Sequence, residues 1–537
     1  MRLFLDKINN WQTWLIFLII TLLLFGSSLW VGFLSDDWHW LWLSKNIPWS
    51  PTIFITNYEG TNLGGSYNPI TFILFKIGYS LFGLQAWTYH LVSLLVHATN
   101  VFLVYLLAKK IFIIAKFNYS RFFALAAAIL FLLWPTQSEA VNWLAAWPHL
   151  WGMSGYLLTF LFYFKWRREK TSKFFWWSLL SFILALGIKE LAMSLPVMVL
   201  LWEIFFYSLD KKNKINWRLL FYFVILFAFG WFRYSATKAI FGYYGRQQLG
   251  WPLLEWVGNL GAFLNDLFTF SFLREIYYKI WYHGLESLAI VILAGLAGYF
   301  WFTFWQKKWL QFVLSASVLL CLLPMAPLGL QRLSLADERY LYLASGFFVI
   351  WLVLAISELV KKYKINLIIF ICLLVICLPV IFYKNYIWLQ AGSVSRKIVA
   401  SLPELKIDPS RPLVSVGLPD NLSGAQVFRN NLQQALELTY PEYQNKIIPL
   451  PIYSLINPKN YFKQLLKWRP DQLGWFAESI DGSFVITGQT SIVIDNIYWE
   501  LWHYNYQNYT ANIIRLMHRG NENPQWLTFY QGKLIIQ

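Results

Sequence analysis

Two adjacent carboxylates stand where the first long apolar segment of the chain ends. The stretch SDDWHW at residues 35–40 follows that segment directly and precedes a polar, glycine-rich loop. Acids beside lipid are costly, and they usually face a cavity or a partner. A carboxylate within hydrogen-bond reach can remove the proton of an attacking hydroxyl. Asp36 or Asp37 is therefore our first candidate for a general base. The simpler interpretation is that both only mark the point where a helix enters water.

A second set of polar residues lies in later connections on the same predicted side of the membrane. Glu139 is a further candidate for acid–base catalysis, and His149 follows it in the same connection. Each also fits a simpler interpretation, because a histidine next to a proline in a loop is often only solvated. The candidates nevertheless share one face, and this favours a common site.

Three cations lie in connections that are predicted to be outside the membrane, opposite to the Lys- and Arg-rich loops. Lys189, Arg332 and Arg339 lie on the side where Lys and Arg are otherwise scarce. A phosphate at the membrane surface needs cationic partners with several donors, and Arg suits bidentate contact. We therefore predict that these three residues bind a phosphate. The alternative is local ion pairing, Lys189 with Glu190 and Arg339 with Asp337 or Glu338.

Composition indicates a helical integral membrane protein. The 537 residues are 58% hydrophobic and only 13% charged, whereas a soluble domain carries about 25% charged residues. Continuous apolar runs of about 20 residues predict spanning helices rather than a barrel. The net charge of +17 comes from Lys and Arg in short loops, which is a topology signal and does not indicate a nucleic acid partner. The three cysteines lie in apolar runs, so no disulfide framework or metal motif is predicted.

The apolar segments predict a polytopic fold of about eleven transmembrane helices. Every second connection is rich in Lys and Arg, which places those connections and the N-terminus in the cytoplasm. Two amphipathic stretches, Trp256–Phe270 and Thr71–Gly83, are predicted to lie at the interface or to be re-entrant. The predicted spans begin near Trp11, Trp87, Phe122, Leu150, Phe174, Leu191, Leu219, Leu288, Leu310, Leu341 and Asn366.

The composition changes after residue 384, which divides the chain into a membrane domain, residues 1–384, and a small extracytoplasmic α/β domain, residues 385–537. Leu413–Gly417 reads as a strand and Val427–Leu438 as a helix. Strand-like patches follow at Ser483–Thr487, Ser491–Ile494, Trp499–Tyr504 and Asn512–Leu516.

Other functional classes are less well supported. The chain has no credible phosphate-binding loop, dinucleotide fingerprint or HExxH motif, so a nucleotide-driven reaction is unsupported. A transporter or flippase predicts charges at the middle of spans and paired halves, but here the charges lie at span ends. An oligosaccharide ligase or polymerase that uses a lipid diphosphate donor remains the alternative enzyme. Outer loops with fewer acids and more clustered Arg would favour that interpretation, whereas acids are prominent here.

Several short motifs occur in a fixed order between about residues 10 and 385. In order and spacing they resemble the GT-C class of glycosyltransferases, which use polyprenyl-phosphate sugar donors, and most of all its protein O-mannosyltransferase branch, including members that carry tetratricopeptide repeats. The matching motifs are the acidic pair at 36–37, YNPIT at 67–71, LFGLQAWTYHL at 81–91, HATN at 97–100, SEAVNW at 138–143, KE at 189–190 and ERYLYL at 338–343.

This resemblance implies transfer of a sugar, such as a mannose-like hexose, from a polyprenyl-phosphate carrier with inversion. The acceptor would be a hydroxyl of a lipid, glycan or protein outside a bacterial or archaeal inner membrane. The resemblance implies that Asp37 or Asp36 is the base and that the KE and ERY positions, with Lys189 and Arg339, contact the donor phosphate. To these we add the candidates selected from the sequence itself: Glu139 for catalysis, Arg332 for the phosphate, and His149, Trp143, Glu190 and Tyr67 for acceptor or sugar contact. No cofactor is assigned; a divalent metal is possible but not indicated, because the acids show no evident ligand cluster.

The chain also departs from the motifs of this family. Asn68 stands where relatives often have Arg, and WPTQ at 134–137 replaces a His-Pro-x-His. His149 occupies a position where an acid is common, and no tetratricopeptide array follows. These departures leave the acceptor and the sugar open, whereas the donor class is the part of the resemblance that they affect least.

Overall fold

A computed structural model describes residues 9–56, 66–209, 216–238, 253–328 and 337–441 except 409 and 430. Between residues 447 and 536 it describes mainly strands with gaps between them, and it describes side chains for only some of these residues. The chain is mainly helical up to Ser401 and mainly strand-forming from Leu413.

The helical part consists of consecutive helices joined by short connections and 3₁₀ turns. In chain order the helices are α1 (Asn10–Phe25), α2 (Asp36–Asn46), α3 (Pro69–Phe82), α4 (Ala86–Ile114), α5 (Ser120–Leu133), α6 (Ser138–Asn142), α7 (Trp147–Glu169), α8 (Ser172–Ile188), α9 (Leu195–Leu209), α10 (Leu220–Thr237), α11 (Leu253–Thr269), α12 (Arg274–Trp305), α13 (Trp309–Leu322), α14 (Tyr342–Leu359), α15 (Tyr363–Ser401) and α16 (Leu432–Thr439).

Each predicted span coincides with one of these helices, but not every one is long and apolar enough to cross a bilayer. Within the described residues six helices meet that condition. The number is seven if α5 and the helical segment Pro135–Asn142, which is bent by 52° relative to α5, form one broken span. Four further apolar helices are shorter, among them α3, α8 and α13, and about 20 residues are needed to span the hydrocarbon core. The chain is thus an integral membrane protein, and the count of eleven spans is not confirmed.

The two stretches predicted to lie at the interface are both helical. Trp256–Phe270 falls largely within α11, and Thr71–Gly83 falls largely within α3. Their depth relative to a membrane stays a prediction.

Helices α4 and α15 hold the loop that leads from α1 into the acidic pair. The imidazole Nε2 of His90 lies 3.0 Å from the carbonyl oxygen of Gly32, whose φ of +85° is a left-handed conformation that favours glycine. Ser395 donates to the carbonyl of Phe33 at 2.7 Å, and Arg396 donates to that of Val31 at 2.7 Å. The backbone before Asp36 is therefore fixed by two helices.

Lys76 of α3 stabilises the other end of α2. Its ammonium group donates to the carbonyl of Ser44 at 2.9 Å and also to that of Ile47. The last carbonyls of a helix lack partners within it and carry partial negative charge, so a cation there is favourable. Lys76 therefore fixes the C-terminal end of the helix that begins with the two acids.

Motifs that are distant in sequence meet in the buried interior between α4, α7 and α14. The hydroxyl of Tyr342 lies 2.7 Å from Nδ1 of His97 and accepts from Asn100 at 3.2 Å. Asn100 also donates to the carbonyl of Leu150 at 2.9 Å. Polar contacts of this kind join membrane helices at modest energy. HATN and ERYLYL thus contact each other, and together they help to hold α14 in place.

The C-terminal part forms three sheets. Their strand orders are β14-β13-β1-β4, β6-β7-β12-β10-β9 and β11-β8-β5-β2-β3. The strands are β1 (Leu413–Ser415), β2 (Leu418–Leu422), β3 (Ala425–Gln426), β4 (Ile447–Pro449), β5 (Ile452–Ile456), β6 (Leu466–Asp471), β7 (Gly474–Ser479), β8 (Phe484–Ile486), β9 (Ser491–Ile494), β10 (Ile497–Trp502), β11 (Thr510–Ala511), β12 (Ile513–His518), β13 (Gln525–Tyr530) and β14 (Lys533–Ile536).

Five predicted strand segments overlap observed strands β1, β8, β9, β10 and β12. The helix predicted over Val427–Leu438 is corrected, because α16 begins only at Leu432 and Asn431 before it has a left-handed φ of +70°. The predicted domain boundary at 384/385 lies inside α15, and this helix continues to Ser401. The backbone at the boundary is therefore continuous helix.

We predict that Gly392→Ala destabilises the protein. A Cβ at residue 392 would lie 1.7 Å from the carbonyl oxygen of Val31, so α15 or the loop before the acidic pair must move. Overpacking of this kind costs about 1–3 kcal/mol. A thermal melt in detergent should show a lower Tm. Gly298→Ala is the control, because a Cβ there meets no atom within 4 Å. Equal melting of both variants would contradict the prediction.

Candidate active site

Asp37 is sealed inside the protein and joins two connections. Its Oδ2 accepts the N–H of Leu34 at 2.9 Å, and its Oδ1 accepts the N–H of Ala145 at 2.6 Å. The residue is 0% exposed. Burial raises the pKa of this carboxyl well above its usual value, and the two backbone N–H groups only partly oppose that effect. Both oxygens have partners, so Asp37 fixes the backbone around the site.

Asp36 has a different environment although it is the adjacent residue. Its side chain is partly exposed, and its Oδ1 accepts a hydrogen bond from Nδ2 of Asn431 at 3.0 Å. Both acids lie in the first turn of α2, which begins directly after Ser35, and the φ of +39° at Ser35 is unusual for a residue other than glycine. Of the two acids, Asp36 is the more accessible to a hydroxyl of a substrate.

Glu139 holds Arg339. The carboxylate is 1% exposed, and its Oε1 lies 2.6 Å from Nη1 of Arg339. It also accepts the backbone N–H of Arg339 at 2.8 Å and that of Asp337 at 3.1 Å. These contacts engage both oxygens. The geometry favours a role for Glu139 in orienting Arg339, and a direct role in proton transfer stays an untested prediction.

The Arg339 guanidinium lies between two aromatic rings. Its Cζ is 4.8 Å from the ring centroid of Trp143 and 4.6 Å from that of Tyr340. Its Nη2 is 3.0 Å from Oδ1 of Asp337, and its side chain is 16% exposed. Stacking and ion pairing fix the plane of the group. Arg339 therefore presents an oriented cation, as a phosphate site requires.

Trp143 and His149 connect Arg339 to the rest of the site. The carbonyl of Leu34, next to the acidic pair, lies 3.5 Å from Nε1 of Trp143. The ring of His149 is 5.5 Å from that of Tyr340, and its imidazole lies within electrostatic reach of both Lys189 and Arg339. The acids and both cations are therefore parts of one region.

Glu190 and Lys189 fix the loop that contains Tyr67. Glu190 accepts the backbone N–H of Tyr67 at 2.8 Å and pairs with Nε of Arg233 at 3.0 Å. Lys189 donates to Oγ of Ser66 at 3.2 Å. The Tyr67 side chain is buried, and burial raises its phenol pKa to about 12. Glu190 and Tyr67 are thus buried residues that support this loop, whereas Lys189 is only partly buried.

Residues far apart in sequence add contacts that spacing did not predict. Glu338 pairs with Lys384 at 2.5 Å, and Arg274 pairs with Asp266 at 2.5 Å and lies 3.9 Å from Glu338. We call these four buried side chains the four-charge cluster. Of the two local pairs considered for Arg339, the one with Asp337 forms at 3.0 Å, whereas Glu338 takes partners from α12 and α15. In the sequence, the only signal for Lys384 is its position as a cation at the end of an apolar run.

The C-terminal part contributes another missed group of residues. Asn431 contacts Asp36, and Arg429 forms a buried pair with Asp420 next to it. No motif links residue 36 to residue 431, so sequence spacing carries no signal for this contact. Arg332, the third predicted phosphate ligand, lies outside the described residues. Among the residues that the structure describes, no three His, Cys, Asp or Glu side chains converge as metal ligands.

We predict that Glu139→Gln destabilises the protein by about 3 kcal/mol or more, because loss of one partner leaves the other charge buried. A lower Tm in detergent is the expected result. Glu358→Gln is the matched control, since the Glu358–Lys308 pair at 3.8 Å is about one-third exposed and such pairs contribute little. A control that melts as early as Glu139→Gln would contradict this interpretation.

The raised pKa of Asp37 predicts a pH dependence of stability. The folded protein holds this proton more tightly than the unfolded chain, in which the aspartate pKa is about 3.9. Unfolding therefore releases a proton above that pH, and stability declines as pH rises towards the pKa of the folded state. The Tm of the wild type minus that of Asp37→Asn should shrink from pH 4.5 to 7.5. A difference that grows with pH would contradict this.

Comparison with known proteins shows partial similarity to one group. No family model matches the chain. Human protein O-mannosyl-transferase TMTC3 is 29% identical over 147 residues, which are 26% of this chain and 15% of that protein. Protein O-mannosyl-transferase tmtc2 of Xenopus laevis is 27% identical over 208 residues, or 36% of this chain and 24% of that protein. The chain thus spans less than a quarter of the length of either relative.

Among solved structures, the crystal structure of ArnT from Cupriavidus metallidurans bound to undecaprenyl phosphate aligns with 84% of this chain and 90% of that chain. Its TM-score is 0.39 and its sequence identity is 12%. The resemblance to known proteins rests on sequence similarity to the curated relatives and not on this structural alignment. The chain resembles the protein O-mannosyltransferases, as its motifs predict.

Proposed function

We propose that the chain is a membrane glycosyltransferase that moves a sugar from a polyprenyl-phosphate carrier to an acceptor hydroxyl on the extracytoplasmic face. The observation that carries this proposal is the partly exposed Asp36 carboxylate in one region with the oriented guanidinium of Arg339. A base and a phosphate-binding cation are the two groups that such a transfer needs.

In the proposed reaction Asp36 accepts the proton of the acceptor hydroxyl. The acceptor oxygen attacks the anomeric carbon as the bond from that carbon to the phosphate oxygen breaks, which inverts the configuration. The electron pair of the broken bond stays on the polyprenyl phosphate. Asp37 remains the alternative base, because it is the second carboxylate of the acidic pair, but its oxygens are engaged by two backbone N–H groups.

The donor phosphate would lie beside Arg339 and Lys189. Glu139 and the rings of Trp143 and Tyr340 fix the guanidinium before any ligand binds, so little orientation is lost on binding. Charge that develops on the leaving phosphate is stabilised by donors already in place. Lys189 adds a partly buried ammonium group. Arg332 is kept as a third proposed phosphate ligand.

The sugar and acceptor follow from the relatives only by analogy. The matched relatives are named protein O-mannosyl-transferases, so we propose a mannose-like hexose and a lipid, glycan or protein hydroxyl as acceptor. Trp143 and His149 line the region next to Arg339 and are proposed sugar contacts. We also propose a bacterial or archaeal inner membrane, with the N-terminus in the cytoplasm and the C-terminal part outside.

We predict that Asp36→Asn reduces sugar transfer by at least about 100-fold, which is the low end of the contribution of a general base. Purified protein in detergent or vesicles would receive labelled polyprenyl-phosphate monosaccharides and a panel of acceptors. Donor binding and Tm should stay close to wild type, because the carboxylate contributes to proton transfer and not to donor affinity.

Asp408→Asn is the matched control, since it makes the same change at an exposed acid of the C-terminal part. Full transfer by Asp36→Asn with loss in Asp37→Asn would assign the base to Asp37. Transfer only from lipid diphosphate donors would favour a ligase or polymerase. No transfer from any donor would overturn the proposed function.

A further inference from the structure

The chain beyond the last helix of the membrane part lies directly against α2. The backbone N–H of Ser35 donates to the carbonyl of Val427 at 2.9 Å. Further along α2, Nε1 of Trp42 donates to Oε2 of Glu437 at 2.5 Å. Between these two points Asn431 reaches Asp36. Residues 427–429 and 431–437 therefore follow α2 over most of its length, and we call them the covering segment.

Asn431 is placed to act on the Asp36 carboxylate. It stands immediately before α16 with a left-handed φ of +70°, a conformation that Asn adopts more readily than most residues. Its amide Nδ2 donates to Oδ1 of Asp36 at 3.0 Å. A charge-assisted hydrogen bond to a carboxylate restricts its rotation. This restriction would serve a base that must be aimed at a substrate.

Arg429 adds positive charge to the same place. It pairs with Asp420, which is 0% exposed, through Nε at 2.5 Å and Nη2 at 2.8 Å. Burial acts to lower the pKa of Arg429, but the hydrogen bond and charge of Asp420 and the charges of Asp337 and Asp36 raise it overall. Arg429 thus lies within electrostatic reach of Asp36. From its own helix, Asp36 is influenced by Asp37 and His39.

We propose that Asn431 is a positioning residue that holds the Asp36 carboxylate in a fixed orientation, so that the covering segment completes the active site. This inference rests on the proposed function. It assigns to residues after the membrane part a role in the chemical step, in addition to any contact with the acceptor.

The test is the pH profile of sugar transfer by variants at residue 431. Asn431→Asp keeps the shape and the tolerance for φ of +70° but replaces the donor by a second carboxylate. We expect the acid limb of kcat/KM to move up by about one pH unit, since a like charge opposes ionisation of Asp36. Transfer should fall about 10-fold on that limb and recover at higher pH, with donor binding unchanged.

Two further variants separate positioning from simple docking. Asn431→Gly removes the amide while it accommodates the left-handed backbone, and it should lower kcat with donor binding unchanged. Trp42→Phe removes another side-chain bond between α2 and the covering segment without contact with Asp36, and its kcat and pH profile should match those of the wild type.

Each remaining outcome decides the question. If Asn431→Asp follows the wild-type profile, or if Trp42→Phe shifts the profile equally, the contact serves docking and the inference is wrong. An Asn431→Gly variant with the kcat of the wild type also overturns it. Wild-type protein that transfers no sugar overturns the proposed function and the inference together, whereas active wild type that depends on Asp36 confines a negative result to Asn431.

Discussion

The two hydrogen bonds to Asp37 are the interaction on which the rest of the site depends. One comes from Leu34 in the first connection and the other from Ala145, more than 100 residues later. Because both donors are backbone groups, the bonds fix the path of the chain on each side. The loop with Asp36 and the loop with Trp143 consequently keep one relative position. A buried acid that is costly to desolvate in this way links the connection before α2 to the connection that contains Ala145.

Around that link, charges are held in place before any substrate arrives. Glu139 orients Arg339, Glu190 pairs with Arg233 and accepts the backbone of Tyr67, and Lys76 caps the helix of the acidic pair. Each group has a buried partner that limits its motion. In a low-dielectric setting, fixed charges stabilise developing charge without a cost of reorientation. Such preorganisation is the common principle that unites the proposed base with the proposed phosphate contacts.

Sequence reasoning located the helices and several strands, because apolar runs and alternating patterns are local signals. It also selected Asp36, Glu139 and Arg339, since acids and cations at span ends are unusual. It did not foresee that Asp37 would be sealed while Asp36 stays accessible, because this depends on the distant segments that pack against α2 at Ala145 and Asn431. Nor could it pair residue 36 with Asn431, because such contacts depend on how the chain returns in three dimensions.

The four-charge cluster of Asp266, Arg274, Glu338 and Lys384 has a consequence for how this sequence can change. Two cations and two anions cancel in the buried interior, so loss of any one strands an opposite charge. Single substitutions there are disfavoured, whereas replacement of a matched pair by apolar residues can be tolerated. These positions on separate helices should therefore vary jointly during evolution, and their joint variation would record a contact that no local motif reveals.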